Sequence, residues 1–251
     1  MPLLDRLSYQ LYSSRNFPPL ERQLAALAAI GYRRVEPYGA LLGQLGELKA
    51  GLTRHGMSAP SLHVGLDRLR ADLDGVVALV RSLGARLVVA PYLQAAERPT
   101  EPSGWRTLGS ELAGIRGRLA HHGLDLAWHN HDFELMPHAG GAIPLDLLLE
   151  SDPGLLWEAD IGWIARAGAD PLPLLERYDK RVGAVHLKDL ARPGGGADEG
   201  GWADVGHGRI DWPGLLPALE RCAAAVFVVE HDEPKDFERS ARRSFETVAG
   251  W

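Results

Sequence analysis

The sequence predicts an α/β protein folded as a single (β/α)8 TIM barrel that takes in residues 1–251. Three observations carry this prediction. Short β-rich apolar runs recur along the whole chain, each followed by an amphipathic stretch, at roughly 31 residues per unit. No linker or low-complexity segment divides the chain. The first strand–helix turn lacks a G-x-G-x-x-G sequence and no P-loop occurs, which disfavours the doubly wound open sheet.

The eight β-rich runs are 7–12, 34–37, 61–64, 86–90, 124–131, 155–160, 183–188 and 226–232. Helical patterns lie between them at 20–30, 41–55, 66–83, 105–122, 143–150, 171–178 and 213–222, and a last one covers 237–248. In the first, Leu20, Leu24, Leu27 and Ile30 repeat with the helical period. Gly31, Gly56, Gly84 and Gly123 each follow a helical pattern, where a left-handed residue ends the helix. Asp211-Trp-Pro reads as an N-cap followed by a first-turn proline.

Composition bounds the function. The chain is 45% hydrophobic and 24% charged, so it can bury a full core. With 27 Lys+Arg against 33 Asp+Glu the net charge is −6, which opposes general nucleic-acid binding. The single cysteine, Cys222, forms no internal disulfide. The N-terminus lacks the apolar run of a secretory signal, and no stretch reaches the roughly 18–20 apolar residues of a membrane span. A cytoplasmic protein without membrane or nucleic-acid partners is expected, with a homo-oligomer left open.

In a barrel, chemistry collects where the strands end. Four of the later runs close on two polar residues spaced i, i+2: His129 and His131, Glu158 and Asp160, His186 and Lys188, Glu230 and Asp232. Residues two apart on a strand share a face, so these pairs converge on one mouth. Glu36 and His63 end the second and third runs and face the same mouth. Converging imidazoles and carboxylates suit a divalent cation such as Mn²⁺, Mg²⁺, Co²⁺ or Zn²⁺.

The segments Trp-His129-Asn-His131-Asp-Phe-Glu134, Glu158-Ala-Asp160-Ile-Gly-Trp163, Val-His186-Leu-Lys188-Asp189 and Val-Glu230-His-Asp carry a resemblance. With them the chain resembles the xylose-isomerase-like barrel superfamily of sugar isomerases, epimerases and inosose dehydratases, and more distantly endonuclease IV. The resemblance covers nearly the whole chain. It implies one divalent cation, Mn²⁺ foremost, held by Asp160, His186 and Glu230. His129 stands where the epimerases place a glutamate, and the resemblance points to Glu134 as the replacement ligand.

The resemblance further implies a metal-dependent isomerase or epimerase of a small ketose, polyol or keto-sugar. The reaction would start by removing a proton alpha to a carbonyl. A keto-sugar or inosose dehydratase of the same fold is the alternative, and a phosphodiesterase or a non-catalytic sugar sensor ranks behind both. His129, His131, Glu158 and Lys188 are expected to be catalytic, with Lys188 paired to Glu158 as the competing reading. Glu36, His63 and Trp163 are expected to contact the substrate.

Overall fold

The structure, a computed structural model, describes residues 2–251. The chain opens with β1 (Leu7–Gln10), α1 (Leu20–Ile30), β2 (Val35–Glu36), α2 (Leu45–Arg54) and β3 (Ser61–His63). It continues through α3 (Leu66–Ala71), α4 (Leu73–Leu83), β4 (Leu87–Ala90), α5 (Pro102–Ala120), β5 (Asp125–His129) and α6 (Pro144–Ser151). Next come β6 (Leu156–Asp160), α7 (Ile161–Arg166), α8 (Pro171–Arg177) and β7 (Val182–Leu187). The last elements are a small ribbon of β8 (Asp189–Leu190) and β9 (Trp202–Ala203), then α9 (Trp212–Arg221), β10 (Val226–Val229) and α10 (Phe237–Ala249).

Eight strands hydrogen-bond in the order β2-β1-β10-β7-β6-β5-β4-β3, each adjacent pair parallel, and form a nearly closed barrel. Central strands such as Leu-Val-Val-Ala in β4 and Val-Phe-Val-Val in β10 are apolar on both faces, as strands buried on both sides must be. The seam lies between β2 and β3. There a parallel bridge joins Arg34 to Ser58, and the His63 N–H donates to the Pro37 carbonyl at 2.9 Å. Pro37 has no N–H to continue a ladder, so β2 stops after two residues.

The helices differ from expectation in number. The stretch 66–83 is two helices, because the Asp72 side chain turns back to accept the Gly75 N–H and caps α4. A second extra helix, α7, follows β6 directly: the Asp160 carboxylate accepts the Trp163 N–H and caps it. Gly31, Gly56, Gly84 and Gly123 all have positive φ, as their positions after helices require. At Gly31 a side chain would also collide with Phe245, 2.6 Å from where its Cβ would stand.

Two apolar cores result. The larger lies between strands and helices and takes outward residues such as Leu126, Trp128, Trp157, Val185 and Phe227. The smaller fills the lower barrel with Leu87, Val89, Ala127, Ala184, Val226 and Val228, and Leu156 packs against it. Above that plug, the inward-facing residues are polar.

Candidate metal centre

His129, Glu158, Asp160, His186, Lys188 and Glu230 project into the upper barrel, and all are buried. Ladder register brings them level: His129 is opposite Glu158, and Asp160 is opposite His186. Their donor atoms form two overlapping clusters. In the upper cluster, one donor atom each from His129, Asp160, His186 and Glu230 lies within 4.8 Å of all the others. His129 Nε2 is 3.7 Å and His186 Nδ1 3.8 Å from Asp160 Oδ2, and His186 Nδ1 is 2.9 Å from Glu230 Oε2.

In the lower cluster, Glu158 Oε2 faces His63 Nε2 at 2.7 Å, His129 Nδ1 at 2.9 Å and His186 Nε2 at 3.2 Å. Glu36 supports it from β2, accepting from Gln10 Nε2 at 2.8 Å and from the Ser61 hydroxyl, and it lies 2.9 Å from His186 Nε2.

The upper cluster fits a divalent cation. Asp160 Oδ1 is occupied by the Trp163 N–H at 2.8 Å, whereas the buried Oδ2 has no hydrogen-bond partner. Buried polar atoms are rarely left in that state, so a bare carboxylate oxygen aimed between two imidazoles is suited to coordination. The Lys188 ammonium also reaches this cluster. Its Nζ is 3.0 Å from Glu230, 2.6 Å from Asp232 and 3.5 Å from Asp160, and the Trp163 and Trp202 rings flank it.

Burial and charge split the histidines. Burial pushes the His129 imidazole down to about 4, and the His186 charge adds to that against the Glu158 hydrogen bond, so the ring is neutral. Burial also lowers His131 well below its usual range. Burial alone would do the same to His63, but Glu36 and Glu158 outweigh it and lift His63 to about 10. His186 is raised well above its ordinary value in the same way, since Glu158 and Glu230 override its burial. Burial lifts Asp160 to about 7, with Lys188 opposing. Burial is overcome at Glu230 by Lys188 and His186, which hold that carboxyl well below its usual range.

Above the clusters opens a cleft of about 980 Å³, within the range of small-molecule sites. His63, His129, Lys188 and Glu230 line it at the polar layer, and His131, Trp163, Tyr12 and Tyr92 line it higher up.

Residues 24–248 match the family described as xylose isomerase-like TIM barrel. The chain belongs to that family. Rhizopine catabolism protein MocC of Rhizobium meliloti is 28% identical over 245 residues, covering 86% of this chain and 75% of MocC. A sugar phosphate isomerase/epimerase from Parabacteroides distasonis superposes with a TM-score of 0.76 at 18% identity, over 96% of this chain and 92% of that one. The IolI protein, solved with a bound zinc atom, gives 0.72 at 18% identity over 98% and 95%. At such identities the superpositions establish the fold alone.

Within this member of the xylose isomerase-like family, several expected residues are placed differently. Glu134 is not brought to Asp160, His186 and Glu230. A short turn buries it beneath the β5 loop, where Oε1 accepts the Trp128 indole N–H at 3.1 Å and Oε2 accepts the His131 N–H at 2.8 Å. Burial lifts this carboxyl to about 8 against those donors. The fifth-strand residue in the upper cluster is His129. Lys188 pairs with Glu230 and Asp232 instead of Glu158, because it continues past β7 to the level of the residues beyond β10. Glu36 lies under His63 and His186, and neither it nor Glu158 lines the cleft. His63, His131 and Trp163 do line it.

Two contributors were not singled out from sequence. Gln10 carried a signal, as an inward polar residue ending β1. Trp202 carried none. It comes from the glycine-rich segment after β7, which the Asp189 carboxylate gathers by accepting the N–H groups of Gly206, Gly208, Arg209 and Ile210.

Proposed function

We propose that this chain is a divalent-cation-dependent isomerase or epimerase of a small ketose, polyol or keto-sugar that removes the proton alpha to a carbonyl. The convergence of His129, Asp160, His186 and Glu230 below a polar-floored cleft carries this reading. Two imidazoles with two carboxylates suit Mn²⁺, Co²⁺ or Zn²⁺ better than Mg²⁺. When bound there, the cation supplies polarisation of a carbonyl oxygen and stabilisation of developing negative charge.

The protein's own groups do the rest. His131, on the cleft wall and neutral, takes the proton. The Lys188 ammonium, held by Glu230 and Asp232, adds fixed positive potential beside the developing enolate. His63 meets a substrate hydroxyl from the floor, and Trp163 covers a C–H face of the sugar.

The test is proton exchange. Protein loaded with Mn²⁺, Co²⁺ or Zn²⁺ is incubated in deuterated water with ketoses, inososes and 3-keto-glycosides. Deuterium is expected at the carbon alpha to the carbonyl of one substrate, with an isomer or epimer as product, and chelation should abolish it. Stoichiometric cation binding without exchange into any of these would defeat the reading. Exchange accompanied by an unsaturated product would reassign the enzyme as a dehydratase.

A further inference from the structure

We infer that Glu158 is a positioning residue that sets the ring tautomer of His129, so that its unprotonated nitrogen faces Asp160. This inference takes the upper cluster as the cation site.

Each of the two rings spans both clusters. His129 turns Nδ1 towards Glu158 at 2.9 Å and Nε2 towards Asp160 at 3.7 Å. His186 turns Nε2 towards Glu36 at 2.9 Å and Glu158 at 3.2 Å, and Nδ1 towards Asp160 and Glu230. A neutral imidazole has one N–H and one lone pair, and only the lone pair coordinates a metal. Which cluster receives it depends on where the proton is held.

A carboxylate accepts and does not donate, so a ring nitrogen at hydrogen-bond distance from it carries the proton. For His129 the short contact is below and the long one above. Glu158 therefore keeps the proton on Nδ1 and leaves Nε2 free for the upper cluster. His186 is held at both nitrogens, by Glu36 and Glu158 at Nε2 and by Glu230 at Nδ1, so its Nδ1 proton must leave before that nitrogen can coordinate a cation.

The same geometry decides between the two candidate clusters. His63, His129, Glu158 and His186 also have donor atoms within 4.8 Å of one another. Filling both clusters would require His129 and His186 to lose both ring protons. With Glu158 Oε2 already facing three ring nitrogens, the lower cluster is a hydrogen-bonded base and the upper one the cation site. Metal-binding histidines are commonly held this way, through the nitrogen that does not bind.

Two measurements test this. Nitrogen-15 NMR of the histidine-labelled, cation-free wild type should find His129 as the Nδ1–H tautomer. Competition titration with Zn²⁺ and Mn²⁺ should find Glu158→Gln about 10–100-fold weaker than wild type, the range for groups behind a ligand, while Glu230→Gln loses the cation. His129 protonated on Nε2, or wild-type affinity in Glu158→Gln, overturns the inference. So does complete loss matching Glu230→Gln, which would make Glu158 a ligand. A wild type that binds no cation sinks the cation site itself, and the tautomer measurement still decides the role of Glu158.

Discussion

The lower and upper halves of the barrel interior are built from the same strand faces and have opposite chemistry. Along β6 the inward residues run Leu156, Glu158, Asp160; along β7 and just past it, Ala184, His186, Lys188; along β10 and past it, Val226, Val228, Glu230. Two residues separate an apolar plug from a fully buried charge network. The plug is held by burial, which favours folding without any demand on geometry. The upper half is held by pairing, because each buried charge is costly unless a partner lies within hydrogen-bond distance. Stability is thus concentrated below and reactivity above, and three perturbations separate them.

The largest effect is expected at the cleft wall. His131→Gln should lower turnover by about 10²–10⁴, the range for a lost acid/base group, with cation content and thermal midpoint unchanged. Equal deuterium exchange in variant and wild type would place the base elsewhere, on a carboxylate of the upper half.

Next comes the plug. Leu87→Ala removes packed methyl groups from the lower core and should cost about 2–5 kcal/mol of stability in urea unfolding, while cation affinity of the folded protein stays at the wild-type value. A loss of affinity would show that the plug also sets the ligand geometry, and the division between halves would fail.

The smallest effect is a slope. The folded His63 value of about 10 lies above its ordinary 6.5, so its stabilising contribution is complete below pH 6.5 and lost as pH rises towards 10. His129, lowered to about 4, has the opposite sign, and its contribution is lost as pH falls from 6.5 towards 4. In cation-free protein, unfolding midpoints of wild type should fall relative to His63→Gln across pH 6.5–10. Parallel pH profiles would show that Glu36 and Glu158 do not hold the His63 proton.

Much of this was legible in the chain. The strand–helix alternation and the i, i+2 polar pairs are local repeats, and a two-residue period determines which side chains share a face wherever the strand sits. That was enough to anticipate the barrel, its polar mouth, and Asp160, His186 and Glu230 at one end of it. The extra helices were not anticipated, since a side-chain cap such as Asp72 or Asp160 splits a pattern that periodicity reads as continuous.

What the sequence by itself determined is therefore the barrel and the faces: which residues point inward, and in what order along each strand. The tertiary structure decided the partners. Glu134 is three residues beyond His131 and looks as able to reach the centre as His129 does, yet two N–H donors capture its oxygens first. Lys188 pairs with Glu230 and Asp232, across the β7–β10 neighbourhood, rather than with Glu158. Hydrogen bonds and ion pairs act over about 3 Å, and separations on that scale between different strands are set by register and barrel closure, which no local pattern in the chain encodes.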